Sequence, residues 1–85
     1  MHIDLAAADT QARHARRQAE HLREARVALL SYQRNLQSHW KGEEMLHIDY
    51  AVDDLLRMLA ATADDLDSIS SDIVKVAESV RGNEE

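Results

Sequence analysis

The residues of this 85-residue sequence best suited to hold a metal or move a proton are its five histidines, His2, His14, His21, His39 and His47. His14 and His21 are seven apart, which places them on one helix face but about 10 Å from each other along it. That separation is too large for one zinc ion, whose ligands all lie about 2 Å from the metal. No His-x-x-x-His and no inward-facing carboxylate pair accompanies them. Two acidic runs, Asp53-Asp54 and Asp64-Asp65-Asp67, invite a calcium reading. A calcium loop alternates its ligands around a glycine that makes the sharp turn. These runs contain no glycine and continue a helical pattern, so they read as a solvated acidic face. There is no glycine-rich phosphate loop and no Ser or Cys set beside a base. No catalytic residue, metal ligand or cofactor follows from these patterns, and the expectation is a protein that is not an enzyme.

Composition points the same way. The chain has no Pro, Cys or Phe, only two Gly, and 31% charged residues. Such a sequence has little turn chemistry outside Gly42 and Gly82 and suits long helices in one domain. No apolar run reaches the roughly 20 residues of a membrane span, and no charged start leads into an apolar stretch as in a cleavable signal. The net charge of −6 is unevenly spread. Residues 1–40 carry six Arg against two Asp and two Glu, which is +2; residues 41–85 carry two Lys and two Arg against seven Asp and five Glu, which is −8. The basic stretch Arg13, His14, Arg16, Arg17, His21, Arg23, Arg26 raises nucleic-acid binding. Its usual helical carrier has much shorter helices, and the acidic second half would repel phosphate. The stretch reads better as a charge complement to the second half or to a partner, and no nucleic-acid partner is expected.

The elements behind these patterns are two helices. Leu5, Ala8, Ala12, Ala15, Ala19, Leu22, Leu29, Leu36 and Trp40 recur at spacings of three and four, with Arg26 and Gln33 filling the two missing steps. The second series is Met45, Ile48, Val52, Leu55, Leu59, Ala63, Leu66, Ile69, Ile73, Val76 and Val80. Both are amphipathic stripes of heptad type. Asp4 suits an N-cap, Glu43 and Glu44 suit a helix start, and Arg81-Gly82 suits a cationic last turn and a glycine stop. The expectation is an all-α antiparallel hairpin with helices over about 4–39 and 43–81, a turn at 40–42 and a short acidic tail at 82–85. Residue i should pair with about 83 − i, which brings Arg16 and Arg17 near Asp64, Asp65 and Asp67 as ion-pair candidates.

A single hairpin cannot bury stripes this wide. Val27, Leu30, Leu46, Leu56 and Met58 lie beside the main series near the hinge. A second hairpin, its own copy or a foreign one, would close a four-helix bundle over them. The expected hairpin and dimer interface is Leu22, Leu29, Leu36, Met45, Ile48, Val52, Leu55, Leu59, Leu66, Ile69 and Ile73.

A hairpin of this length with Trp40-Lys41-Gly42 at its turn resembles the WXG family of small secreted proteins, and the resemblance covers essentially the whole chain. It implies a non-enzymatic protein of the type VII (ESX-type) secretion pathway of Gram-positive bacteria and actinobacteria. Members form homodimeric or heterodimeric four-helix bundles and leave the cell folded, without a cleaved signal. Some accompany larger toxins with helical N-terminal domains. The expected partners are therefore a related hairpin or such a toxin domain, together with the secretion machinery. The expected location is outside the cell, or the cytoplasm before export. Trp40 and Gly42 carry over as the turn and recognition motif. Family substrates often carry Tyr-x-x-x-Asp/Glu after the second helix. Here Arg81-Gly82-Asn83-Glu84-Glu85 has no tyrosine, and Tyr50-x-x-x-Asp54 falls inside the second helix. That departure implies travel with a partner that carries the signal. Two other readings use the same surfaces: a cytoplasmic coiled-coil adaptor that is not exported, and a helical nucleic-acid binder.

Overall fold

The computed structural model describes residues 4–40 and 42–84. Two antiparallel helices, α1 (Leu5–His39) and α2 (Glu43–Glu84), pack along their length as a rod of 65 × 15 × 12 Å. Met1–Ile3, Lys41 and Glu85 lie outside the described residues, and with them His2 and the middle residue of Trp-x-Gly.

The helix ends follow from their capping chemistry. Asp4, in extended backbone, accepts on its Oδ1 from the amides of Ala6 at 3.0 Å and Ala7 at 3.2 Å. Two of the amides left unbonded at a helix start are thereby satisfied. At the other end the Trp40 amide donates to the Leu36 carbonyl at 2.8 Å, after which Trp40 itself turns extended at φ −115° and ψ 134°. Gly42 has φ +119° and its carbonyl accepts from the Met45 amide at 3.1 Å, starting α2. That positive φ favours a residue without Cβ. Glu43 and Glu44 occupy the first turn, at the positive end of the helix dipole.

One boundary differs from expectation. Gly82 does not stop α2, which continues to Glu84. Gly42 is the glycine with a positive φ, so Gly82 stays helical, an arrangement that costs about 1 kcal/mol relative to Ala.

The seam on both helices alternates at spacings of three and four. On α1 it is Leu5, Ala8, Ala12, Ala15, Ala19, Leu22, Arg26, Leu29, Gln33 and Leu36, with Leu30 partly covered beside it. On α2 it is Met45, Asp49, Val52, Leu56, Leu59, Ala63, Leu66, Ser70, Ile73, Ala77 and Val80, with Ile48, Ala60, Asp67 and Val74 partly covered beside it. A 3.5-residue repeat keeps one seam facing its partner as the helices supercoil. The contacts between Ser70 and Ala12 and between Gln33 and Asp49 set residue i level with about 82 − i, one step from the expected pairing.

The α1 stripe is the expected one, but the α2 seam is not. Ile48, Leu55 and Ile69 are expected at the hairpin or dimer interface and Val76 in the α2 stripe; the hairpin seam itself takes their C-terminal neighbours Asp49, Leu56, Ser70 and Ala77. Leu55 is 44% exposed, Ile69 49% and Val76 58%, with Ile48 half-buried. Small residues on α1 explain the choice. Ala12 and Ala19 are fully covered, and so is Ala63 across from them, so the backbones lie close and the facing positions at Ser70 and Ala77 must also be small. Met45 is buried, whereas Leu22, Leu29, Leu36, Val52, Leu59, Leu66 and Ile73 are only half-covered. No large side chain among the described residues is fully buried.

Candidate interaction surface

The two flanks of the seam have different chemistry. Heptad geometry places Arg16, Arg23, Leu30 and Gln37 of α1 beside Leu46, Asp53, Ala60, Asp67 and Val74 of α2 on one flank. The polar contacts between the helices run along the seam and this flank. Arg16 Nε donates to Ser70 Oγ at 3.0 Å, and that hydroxyl donates to the Ala12 carbonyl at 2.8 Å. Arg23 bridges Asp67 at 2.6 Å and Asp64 at 3.0 Å. Those hydrogen bonds, Asp67 first, raise the Arg23 pKa above its ordinary value. Gln33, buried in the seam, donates through Nε2 to Asp49 and Asp53, each at 3.2 Å, and Gln37 Nε2 donates to Asp49 at 3.1 Å.

The expected cross-hairpin ion pair is thus made by a different cation. Arg23 reaches Asp64 and Asp67, whereas Arg16 finds a hydroxyl and Arg17 stands exposed. A pairing count along the sequence brings Arg16 and Arg17 level with the aspartates. It ignores the length of an arginine side chain: Arg23 is level with Leu59, yet it bridges to Asp64 and Asp67 further along the partner helix.

The other flank carries Gln11, Gln18, Ala25 and Tyr32 of α1 beside Ile48, Leu55, Thr62, Ile69 and Val76 of α2. No hydrogen bond or ion pair crosses the hairpin here among the described residues. Tyr32 and Met58 are exposed on this side, and a shallow groove lined by Ala8, Ile69, Asp72, Ile73, Val76 and Ala77 lies at its open end. The chain exposes 6526 Å², against about 5,100 Å² for a compact monomer of its mass. Its radius of gyration is 19.2 Å, where about 12 Å is usual for this length.

Arg26 is the exception inside the seam. It lies level with the buried Leu56, and its Nε is covered yet bonds to no acceptor. Sequence alone marks Arg26 and Gln33 as the two polar steps of the α1 stripe; it does not reveal that only Gln33 is satisfied.

At the tip, Trp40 is 52% exposed, so its ring neither closes the apolar end of the hairpin fully nor stands free of it. An added Cβ at Gly42 meets nothing within 4 Å, which leaves the positive φ as that glycine's reason. Tyr50 and Asp54 are exposed on α2, with Asp54 engaged by Arg57. His14, His21 and His47 are exposed, and His39 contacts Ser38 and the Asn35 carbonyl. Among the described residues no group of three metal-ligating side chains converges, and no helix is long and apolar enough to cross a membrane. Comparison with known proteins finds no matching family model, no matching curated protein and no matching solved structure.

Proposed function

We propose that this chain is a non-enzymatic hairpin of the type VII secretion pathway, acting as a secreted substrate or as an accessory partner of a larger secreted toxin. The observation that carries the reading is the tip. A half-exposed Trp40 sits at the end of α1, two residues before a positive-φ Gly42, between two helices that run the length of the chain. This is the placement that the WXG resemblance calls for. The resemblance supplies the pathway; the uncovered flank supplies the need for a partner. A second hairpin, or the helical N-terminal domain of a toxin, would bury Leu55, Ile69 and Val76 as half of a four-helix bundle. With Trp40 projecting at the bundle tip, the indole is then available to the secretion machinery or to the partner's tail.

The test is export. A tagged chain is expressed in a host with an intact type VII system and in the same host lacking the secretion ATPase. The reading expects the chain in the culture supernatant of the first only. Retention in the cell in both, with or without co-expressed partners from neighbouring genes, would leave the non-exported adaptor as the better account.

A further inference from the structure

We infer that Arg26 is a carboxylate-recognition position, taking an aspartate or glutamate side chain that a protein partner presents among apolar residues. The inference concerns the flank of Arg16 and Arg23 and uses neither the open flank nor export.

Arg26 is half-covered in the seam, and its guanidinium bonds to no acceptor among the described residues. The Nε end is covered, whereas the two Nη groups are not. The cation has thus lost part of its hydration without gaining a counter-charge in contact, which is unfavourable until one arrives. The charged neighbours are engaged elsewhere. Arg23 holds Asp64 and Asp67, Arg57 holds Asp54, and Asp53 accepts from Gln33. Asp53 stands only about 4.5 Å from Arg26 along the axis, within reach of an arginine side chain, and even so makes no ion pair with it.

The surroundings decide what fits. Heptad geometry sets Arg26 on the side of the seam toward Leu30 and Leu46, with Val27 and Tyr50 one row further out. Val27, Leu46 and Tyr50 are exposed and Leu30 is half-buried, all within about 15 Å of Arg26 along the axis. Arginine and tyrosine with apolar neighbours are the material of an interface anchor. The matching segment carries one carboxylate between apolar side chains. The two open Nη groups can take both oxygens of a planar carboxylate, a fork that lysine does not offer. A phosphate or a nucleic acid fits less well. Asp53, Asp64 and Asp67 lie along the same side, and the whole chain carries −6, so added negative charge beyond one carboxylate is repelled.

Nuclear magnetic resonance of the purified, isotope-labelled full chain tests this, with the Arg26 Nε–Hε signal assigned by its loss in Arg26→Lys. The probes are acetate, inorganic phosphate, and the peptides acetyl-Leu-Glu-Leu-amide and acetyl-Leu-Gln-Leu-amide, each compared with chloride at equal ionic strength. Acetate should move the Arg26 signal along a saturating curve, while the exposed Arg17 and Arg34 respond at least tenfold more weakly. The Glu peptide should bind at least tenfold more tightly than acetate and shift the backbone amides of Val27 and Leu30; the Gln peptide should act like chloride. Arg26→Leu, with its helical circular dichroism retained, should lose at least tenfold in affinity for the Glu peptide. An Arg26 signal indifferent to every probe, or arginines that all respond alike, overturns the site. Tighter binding of phosphate than of the Glu peptide overturns the carboxylate. A response to acetate that appears only after Asp53→Asn shows that Asp53 already holds Arg26 in solution, and also overturns the inference. Each readout uses purified protein, so its failure is distinguishable from failure of the secretion reading.

Discussion

The hydroxyl of Ser70 lies 2.8 Å from the backbone carbonyl of Ala12 on the facing helix, while Arg16 Nε donates to that same hydroxyl at 3.0 Å. A side chain with one oxygen beyond Cβ touches the opposite backbone only where the helices run close. The buried Ala12, Ala15, Ala19, Ala63 and Ala77 around it allow that approach. Ser70→Ala should cost about 1 kcal/mol through the lost hydrogen bonds, and Ser70→Leu about 1–3 kcal/mol through overpacking. Urea unfolding monitored by circular dichroism gives the order. Equal tolerance of Ala and Leu at this site would show that the helices are not held this closely.

Arg26 carries a buried Nε without an acceptor opposite Leu56. An unsatisfied buried donor of this kind costs about 1–3 kcal/mol. Arg26→Leu should therefore stabilise the hairpin, raising its thermal midpoint by several degrees. A loss of stability would mean that the guanidinium has a partner that the isolated chain does not display.

The two glycines should respond with opposite sign. Gly42 holds φ +119° with open space around an added Cβ, so Gly42→Ala should cost about 1–3 kcal/mol as backbone strain alone. Gly82 is helical and equally open, so Gly82→Ala should add about 0.5–1 kcal/mol. Thermal unfolding of both variants is the check. Two shifts of the same sign would contradict the turn geometry.

Arg23, and neither Arg16 nor Arg17, bridges the helices to acidic residues. Arg23→Glu should lower the thermal midpoint at low salt, and the loss should shrink in 1 M salt as screening removes the repulsion from Asp64 and Asp67. Arg17→Glu should have little effect at either concentration. The raised Arg23 pKa places any pH dependence of this bridge on the alkaline side. Stability from a group with a raised folded pKa is fully present below the unfolded value and is lost only as pH climbs through the folded one. Titration of Arg23 therefore leaves neutral-pH stability unchanged.

Much of the fold is legible from spacing. The α1 seam is visible because α1 has one continuous stripe, and Val27 and Leu30 beside it are too few to form a rival. The α2 seam is harder, because in each heptad two adjacent positions compete for one row of the seam, and the apolar candidate is not always the one chosen. Ile48, Ile69 and Val76 are more hydrophobic than Asp49, Ser70 and Ala77, while Leu55 and Leu56 are equal, so hydrophobicity alone points to the wrong row. The hairpin selects Asp49, Leu56, Ser70 and Ala77 instead, since close approach to the α1 alanines favours small residues and Gln33 offers Asp49 a bond. The residues displaced from the seam are the open flank. The stop at Gly82 was misread for a simpler reason: one glycine, without a following proline or a positive φ, costs too little to end a helix.

The central claim is that Trp40 serves recognition in export beyond its part in folding. The direct measurement is the ratio of supernatant to cell-associated protein for the native chain and for Trp40→Ala, in a host with an active type VII ATPase, alongside the circular dichroism of both purified chains. The account predicts native export, and for Trp40→Ala at least a tenfold fall in the ratio with helicity retained. Undiminished export of a folded Trp40→Ala chain, or equal unfolding of Trp40→Ala and Gly42→Ala, would contradict it.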